Sequence, residues 1–353
     1  MSVTSSSQLR RELEAARFCR EILPAVSRTF ALSIRALPGT LGHAVLAAYL
    51  LCRIADTIED EPELDAASKA ELMDRMLLCF DDAAAAERFP TLVAGIRGEA
   101  AHVRLTQHAD LVFLHFRALP AATQAHVRRW VIEMVAGMRT FVLRYPAGIR
   151  IQSVEEYREY CYYVAGTVGY MLTDLWHEHS STIGAGRYAV LRERCRAFAE
   201  GLQTVNILKD VARDAEHENS IFIPEQLLRE HGSSHATILA ADRTRQTRAA
   251  LGALAQLAGQ DLELAKAYLL LIPRRAMAIR LFCALPLLFA CATLRTLTSG
   301  AGAPGSARSG VKISRAEVKS LTVLGVLALA SNRLLGRLAD RARTRPLLLG
   351  WRS

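Results

Sequence analysis

Apolar residues recur along most of this chain at helical spacing, while the two-residue alternation of a half-buried strand and the signature of a β-hairpin do not recur. The pattern predicts an amphipathic helix over Leu9–Leu23 stopped by Pro24, then a short helix within Ser27–Pro38. A long apolar run begins near Leu41 and, with Pro62 ahead of it, ends by Glu61. Amphipathic sequence continues from Asp65 to Arg117, and a further helix covers Ala121–Tyr145 before the turn Pro146-Ala147-Gly148. Helical segments follow over Val154–Trp176 and through Asn206–Asp214, the latter closed by Asn219 and Ser220, with a restart at Pro224. Thr237–Leu271 is rich in Ala and Leu and predicts a core helix, and Leu281–Leu294 is an apolar run broken by Pro286. Ser299–Gly310, rich in Gly, Ser and Ala, predicts a mobile loop, and Glu317–Arg341 predicts one closing helix. The fold class expected is all-α.

Composition sharpens this without changing it. A chain of 353 residues that is 51% apolar and dominated by Ala, Leu, Arg and Glu fits one large helical domain with a sizeable core. The domain is expected over residues 21–345, after a polar segment and helix start at 1–20 and before a tail at 346–353. The strongest apolar runs, Leu281–Leu294 and Leu321–Ala330, fall short of the ~20 residues of a membrane span, which leaves only contact with a membrane surface open. The seven cysteines show no paired-ligand spacing and sit in apolar contexts, as reduced buried thiols do; together with the polar, Ser-rich Met1–Gln8 they predict a cytoplasmic protein. The net charge of +9 is spread through amphipathic helices rather than gathered in a tail or nucleic-acid motif, so no nucleic-acid partner is expected.

The candidate chemistry lies in two acidic stripes. At ~3.6 residues per turn, Asp56, Glu59 and Asp60 project from one helix face, in the last turn, where the helix macrodipole is already negative. Asn206, Asp210 and Asp214 repeat the construction at steps of four within another apolar helix. One such cluster alone reads as a solvated face. Two, each embedded in apolar sequence and without Cys or His companions, point to a hard cation, and to Mg²⁺ where a phosphate-bearing substrate completes the shell. Tyr49 and Arg53 share the face of Asp56. In Ser27-Arg28-Thr29-Phe30 an arginine among hydroxyls suits phosphate, although a capped surface helix explains the same pattern. Tyr160 opens the run Tyr160–Gly169, whose glycines three apart permit close approach by a helix or a ligand. His177 and His179 flank Glu178 without a further ligand in view, so no metal is expected there.

Taken together and in order, Ser27–Phe30, Tyr49–Asp60, Tyr160–Gly169, Gln203–Asp214 and Ile223-Pro224 resemble the squalene and phytoene synthase family of head-to-head prenyl synthases. The resemblance implies a single-domain isoprenoid synthase helical bundle around a central hydrophobic cavity, with Mg²⁺, or Mn²⁺ in its place, held against diphosphates by Asp56, Glu59, Asp60, Asp210 and Asp214. It further implies catalytic roles for Tyr160, Arg53 and Tyr49, substrate contacts from Ser27, Arg28, Phe30, Gln203 and Lys209, and contacts from Asn206, Lys312 and Arg315 to NADPH. Phe282–Pro286 and Val311-Lys312-Ile313 resemble runs of the squalene-forming branch, which implies that two farnesyl diphosphates condense through presqualene diphosphate and are then reduced to squalene by a monomer or weak oligomer. Two positions depart from the family pattern: Arg213 stands where an acid commonly precedes the last aspartate, and Ser314 replaces a basic residue after Lys312-Ile313. The alternatives are a synthase that omits reduction and makes phytoene, dehydrosqualene or hydroxysqualene, and, from another class, a helical membrane-associated scaffold whose acids merely solvate one face.

Overall fold

The helix that ends in the first acidic stripe is enclosed by protein along most of its length: Leu50, Leu51, Ile54, Ala55 and Ile58 are fully buried. The computed structural model describes residues 3–27, 29–217, 219–299 and 312–348. Two compact units make up the chain, Met1–Ala147 with Asp174–His179, and Gly148–Thr173 with Ser180–Ser353. No strand occurs among the described residues; one parallel bridge pairs Arg150 with Ile221. The chain is all-α, as its periodicity predicts.

The first unit contains α1 (Val3–Val26), α2 (Phe30–Arg35), α3 (Gly39–Glu59), α4 (Ala66–Leu78), α5 (Ala83–Leu92), α6 (Ala100–Thr106), α7 (Ala109–Arg117) and α8 (Ala121–Arg144). Helix α3 is apolar on nearly every side and packs against α1, α7 and α8, the placement expected of a helix without a polar face. The side chains of Asp65 and Asp82 cap α4 and α5 by accepting from the amides of Ser68 and Ala84. Pro24 does not stop the first helix, which continues to Val26 because the residues around the proline, Ile22, Leu23 and Val26, are buried. The same helix runs without a break across residue 20.

The second unit comprises α9 (Val154–Cys161), a π-helical turn (Tyr162–Gly166), α10 (Thr167–His179), α11 (Ala185–Arg192), α12 (Cys195–His217), α13 (Glu225–Glu230), α14 (Thr244–Leu271), α15 (Met277–Thr298), α16 (Arg315–Ala328) and α17 (Asn332–Thr344), the last residues of α10 counting with the first unit. Its core is built on α12, α14 and α15. A β-carbon on Gly201 would stand 3.0 Å from the β-carbon of Asp261, so α12 and α14 cross with almost nothing between them. Gly169 serves α10 in the same way, since a β-carbon there would lie 2.3 Å from the carbonyl oxygen of Cys195. The glycines of Tyr160–Gly169 thus serve helix packing.

Three further sequence expectations change. Pro286 lies inside an unbroken α15, where the neighbouring Leu285, Leu287 and Leu288 are fully buried and offset the ~3 kcal/mol a proline costs a helix. Helices α3 and α15, at 21 and 22 residues, are therefore long and apolar enough to span a membrane, yet the apolar windows that qualify them are 72% and 78% buried within the protein. The closing helix is two helices. Arg280, fully buried, donates to the carbonyl of Leu329, to the carbonyl of Ile272 and to the side chain of Asn332, and Ser331 caps α17 through the amide of Leu334. Most of the expected loop, residues 300–310, lies outside the described residues. All seven cysteines are buried and free.

Gly169→Ala should destabilise the protein by about 1–3 kcal/mol, because α10 must move off α12. Gly252→Ala, in α14 with nothing within 4 Å of the new carbon, should stabilise it by about 0.5–1 kcal/mol. Urea midpoints of the two variants check the pair; equal and opposite signs to these would contradict the packing described.

Candidate active site

Helix α3 ends at Glu59 with Asp60 as its C-cap, so the first stripe stands where the pattern placed it, at the negative end of the helix dipole. Asp56 and Asp60 are partly exposed, while Glu59 is buried at 8% exposure. Glu61, the next acid, is turned away: its carboxylate accepts from the amides of Glu63 (2.7 Å), Leu64 (2.5 Å) and Arg97 (3.3 Å), closing the loop that follows. Lys69 donates to the carbonyl of Glu59 at 2.6 Å and places a cation at the negative helix end.

A chain of contacts leads from this stripe to α1 and α2. Arg53 Nη1 lies 3.3 Å from Asp56 Oδ2, and its Nη2 donates to the Tyr49 hydroxyl at 3.5 Å. Tyr49 donates onward to the carbonyl of Val26 at 3.1 Å, and its ring meets that of Phe30 at 5.9 Å. The amide of Phe30 donates to Ser27 Oγ at 3.0 Å. Arg28 lies outside the described residues. Burial opposes the charge on Arg53, but Asp56, Tyr49 and Asp60 outweigh it and the pKa is raised. Its Nε is nevertheless a buried donor with no hydrogen-bond partner among the described residues. An unused N–H on a guanidinium already oriented by a carboxylate and a phenol is chemically suited to an anionic oxygen.

In the second unit Asn206 is exposed, Gln203, Lys209 and Asp210 are partly exposed, and Asp214 is buried. Lys209 Nζ stands 3.1 Å from Asp210 Oδ2 and 3.5 Å from Asn206 Oδ1, so the stripe carries its own counter-charge. Arg213 is exposed and supplies no third acid. Tyr160 is buried at 4% exposure and stacks on Phe222 at 4.9 Å, at the entrance to the π-helical turn, a distortion that recurs at functional sites. Beneath it the Tyr157 hydroxyl donates to Thr204 at 2.9 Å, and Arg158 pairs with Asp261 and, at 3.6 Å, with Glu200. Burial raises the pKa of Glu200 despite Arg196 and Arg158 beside it.

Two features here were not read from the sequence. Arg150 donates to both the carbonyl and the side chain of Asn219, a residue at φ +46°, and so clamps the loop just beyond Asp214. A β-carbon on Gly148, at φ +104°, would lie 1.9 Å from that same carbonyl oxygen. Gly148 and Asn219 are residue types that tolerate positive φ, which was the available signal; their pairing is long-range and was not. The second feature is Ser314, whose hydroxyl accepts from the amide of Glu317 at 3.1 Å as the N-cap of α16. Lys312 and Arg315 flank that cap and are exposed. The substitution that departs from the family pattern therefore has a structural task.

Among the described residues no group of three or more His, Cys, Asp or Glu side chains is placed to enclose a metal alone. The donor set of each stripe, one or two accessible carboxylates, suits Mg²⁺, which keeps waters and takes phosphate oxygens to fill its shell.

A profile of the squalene/phytoene synthase family matches residues 23–317. Squalene synthase 1 of Arabidopsis thaliana is 26% identical over 279 residues, 78% of this chain and 64% of that protein. Squalene synthase of Schizosaccharomyces pombe is 26% identical over 313 residues, 88% of this chain and 65% of that protein. The matched region thus spans slightly under two thirds of these curated relatives. Among solved structures, the TcSQS complex with BPH1237 superposes at a TM-score of 0.77 with 22% identity, covering 94% of this chain and 98% of that one. A dehydrosqualene synthase complex superposes at 0.61 with 20% identity, covering 91% and 99%. These structural likenesses establish the all-α fold, and the profile, which takes in both acidic stripes and the Tyr160 run, establishes that the chain belongs to the squalene/phytoene synthase family.

Proposed function

We propose that the chain is a squalene synthase: it condenses two farnesyl diphosphates through presqualene diphosphate and reduces the product with NADPH, with residues 21–345 acting as one synthase domain. The observation that carries this reading is the buried Nε of Arg53, without a partner among the described residues and beside Asp56 and Asp60, a cation and a carboxylate pair suited to a metal-bound diphosphate. The names of the curated relatives, squalene synthases, support squalene as the product, and farnesyl diphosphate is the substrate that the family resemblance implies.

In this reading Asp56, Glu59 and Asp60 hold metal for one diphosphate and Asp210 and Asp214 for the other, and Mg²⁺ when bound neutralises the charge that develops on the departing group. Arg53, held by Tyr49, directs its free N–H to the leaving oxygens. Ser27, Arg28 and Phe30 contact the diphosphate and first isoprenoid units, and Gln203 and Lys209 do so beside the second stripe. Lys209, released from Asp210 when a metal binds, becomes a phosphate contact. Tyr160 is shielded from water by burial and by Phe222, which suits a hydroxyl that assists ionisation or receives the proton from a carbocation. NADPH supplies the reducing hydride, and Asn206, Lys312 and Arg315 bind its phosphates.

One observation favours a second reading. Because Ser314 caps α16, the run assigned to the cofactor keeps only Lys312 and Arg315 as its basic residues, which fits a synthase that releases an unreduced product.

Incubation of the purified protein with farnesyl diphosphate and Mg²⁺ should give squalene when NADPH is present and presqualene diphosphate or unreduced products when it is absent, identified by mass spectrometry. Unreduced products under both conditions would select the second reading. Asp56→Asn and Asp210→Asn should each lower kcat at least about a hundredfold while leaving the unfolding midpoint near that of the parent. Retained turnover in either variant would remove that stripe from the chemistry.

A further inference from the structure

One end of the second unit carries an apolar ridge that no described residue of the unit covers. Val323, Val326 and Leu327 lie on one face of α16 and are 48%, 46% and 72% exposed, and Leu334, at the start of α17, is 54% exposed. Residues at i, i+3 and i+4 that face solvent invert the usual burial of a helix stripe. The buried Arg280 joins this corner to another turn. It donates to the carbonyl of Leu329 and the side chain of Asn332 on one side and to the carbonyl of Ile272 on the other, while Asn332 Nδ2 donates to the carbonyl of Leu270 at 3.0 Å. The turn that follows Ile272 presents Arg274, Arg275 and Met277 to solvent, so its basic residues stand beside the ridge.

The charge around this ridge is predominantly positive, and the acids that bracket it, Glu263 and Asp340, are both paired with Lys266. From Leu264 to Ala339 the chain has eleven lysines and arginines, and its sole acid is Glu317. Glu317 is buried against Arg295, which donates to both its oxygens at 2.9 Å, so it offers no negative charge to the surface. Arg274, Arg275, Lys319, Arg333 and Arg337 are exposed and make no ion pair among the described residues. A second copy seated on the same face would set these cations against their own images. An anionic lipid surface meets both requirements: headgroups for the arginines and an acyl boundary for the leucines and valines.

We propose that the α16–α17 corner, with the turn at 272–277, is a docking surface for an anionic lipid bilayer. The protein lies on the membrane through Val323, Val326, Leu327 and Leu334, anchored by Arg274, Arg275, Lys319, Arg333 and Arg337. This surface stands on its exposure and charge alone and is independent of the reaction assigned above. If that reaction holds, it places an insoluble hydrocarbon product next to the phase that dissolves it.

Flotation of the full chain with vesicles, without substrate, tests the surface. The protein should float with vesicles of phosphatidylcholine and phosphatidylglycerol in equal parts, stay in solution with phosphatidylcholine alone, and detach as salt is raised. Arg333→Gln with Arg337→Gln should weaken partitioning roughly 25-fold, at about fivefold per arginine. Leu327→Ser with Leu334→Ser should abolish flotation, and both double variants should keep the parent's circular dichroism and unfolding midpoint, since the four side chains are exposed. Failure of the parent to float with the anionic vesicles, or flotation of both variants like the parent, would overturn the proposal. So would a lipid-independent dimer, seen by ultracentrifugation, that Leu327→Ser with Leu334→Ser dissolves while the parent ignores vesicles. Because no turnover is measured, failure of the synthase assignment leaves this result untouched.

Discussion

The structure turns on an electrostatic conflict: carboxylates stand at the negative ends of helices whose other faces are buried. At α3 the conflict is eased but not removed. Arg53 pairs with Asp56, and Lys69 takes the carbonyl of Glu59, yet Asp60 sits at the C-cap itself. Like charges at helical spacing cost about 0.2–0.5 kcal/mol per pair, and the dipole adds a similar penalty. Moving the acids to the opposite helix end would remove that cost without altering the core, so folding alone does not account for their position, whereas the cation proposed above would offset it. Helix α12 repeats the arrangement with Lys209 as the resident counter-charge.

Everything around the stripes keeps them from relaxing. Leu50, Leu51 and Ile54 lock α3 into its unit, and Glu61 fixes the chain beyond it with three backbone bonds. In the other unit Gly201 brings α12 against α14, and the Arg150–Asn219 clamp holds the loop beyond Asp214. The π-helical turn next to Tyr160 is backed by Arg158, Asp261, Glu200 and Arg196, a cluster in which two buried acids are each met by a guanidinium. Buried ions of this kind contribute little to net stability, but they penalise any rearrangement that would separate them.

The parts of this arrangement that were legible in sequence are those set by local periodicity. The apolar run from Leu41, its end before Pro62, and the step-of-four stripe from Asn206 each follow from neighbours within a few turns, and the structure reproduces them. What was illegible depends on distant partners. Pro24 and Pro286 read as helix stops, and burial of their neighbours overrides them. The break between α16 and α17 arises because Arg280, far back in α15, takes the Leu329 carbonyl out of the helical ladder. Glu61 cannot be told from Asp60 by spacing; only the loop that folds back onto it shows that it is a cap. Ser314 looked like a lost basic residue and is an N-cap.

The central claim is that each acidic stripe holds one diphosphate through Mg²⁺. Titration calorimetry with the thiodiphosphate analogue of farnesyl diphosphate, which binds without ionising, tests it directly. The account predicts two equivalents bound in the presence of Mg²⁺, none after chelation, and one in either Asp56→Asn or Asp210→Asn. Two equivalents retained in both variants, or binding indifferent to Mg²⁺, would contradict it.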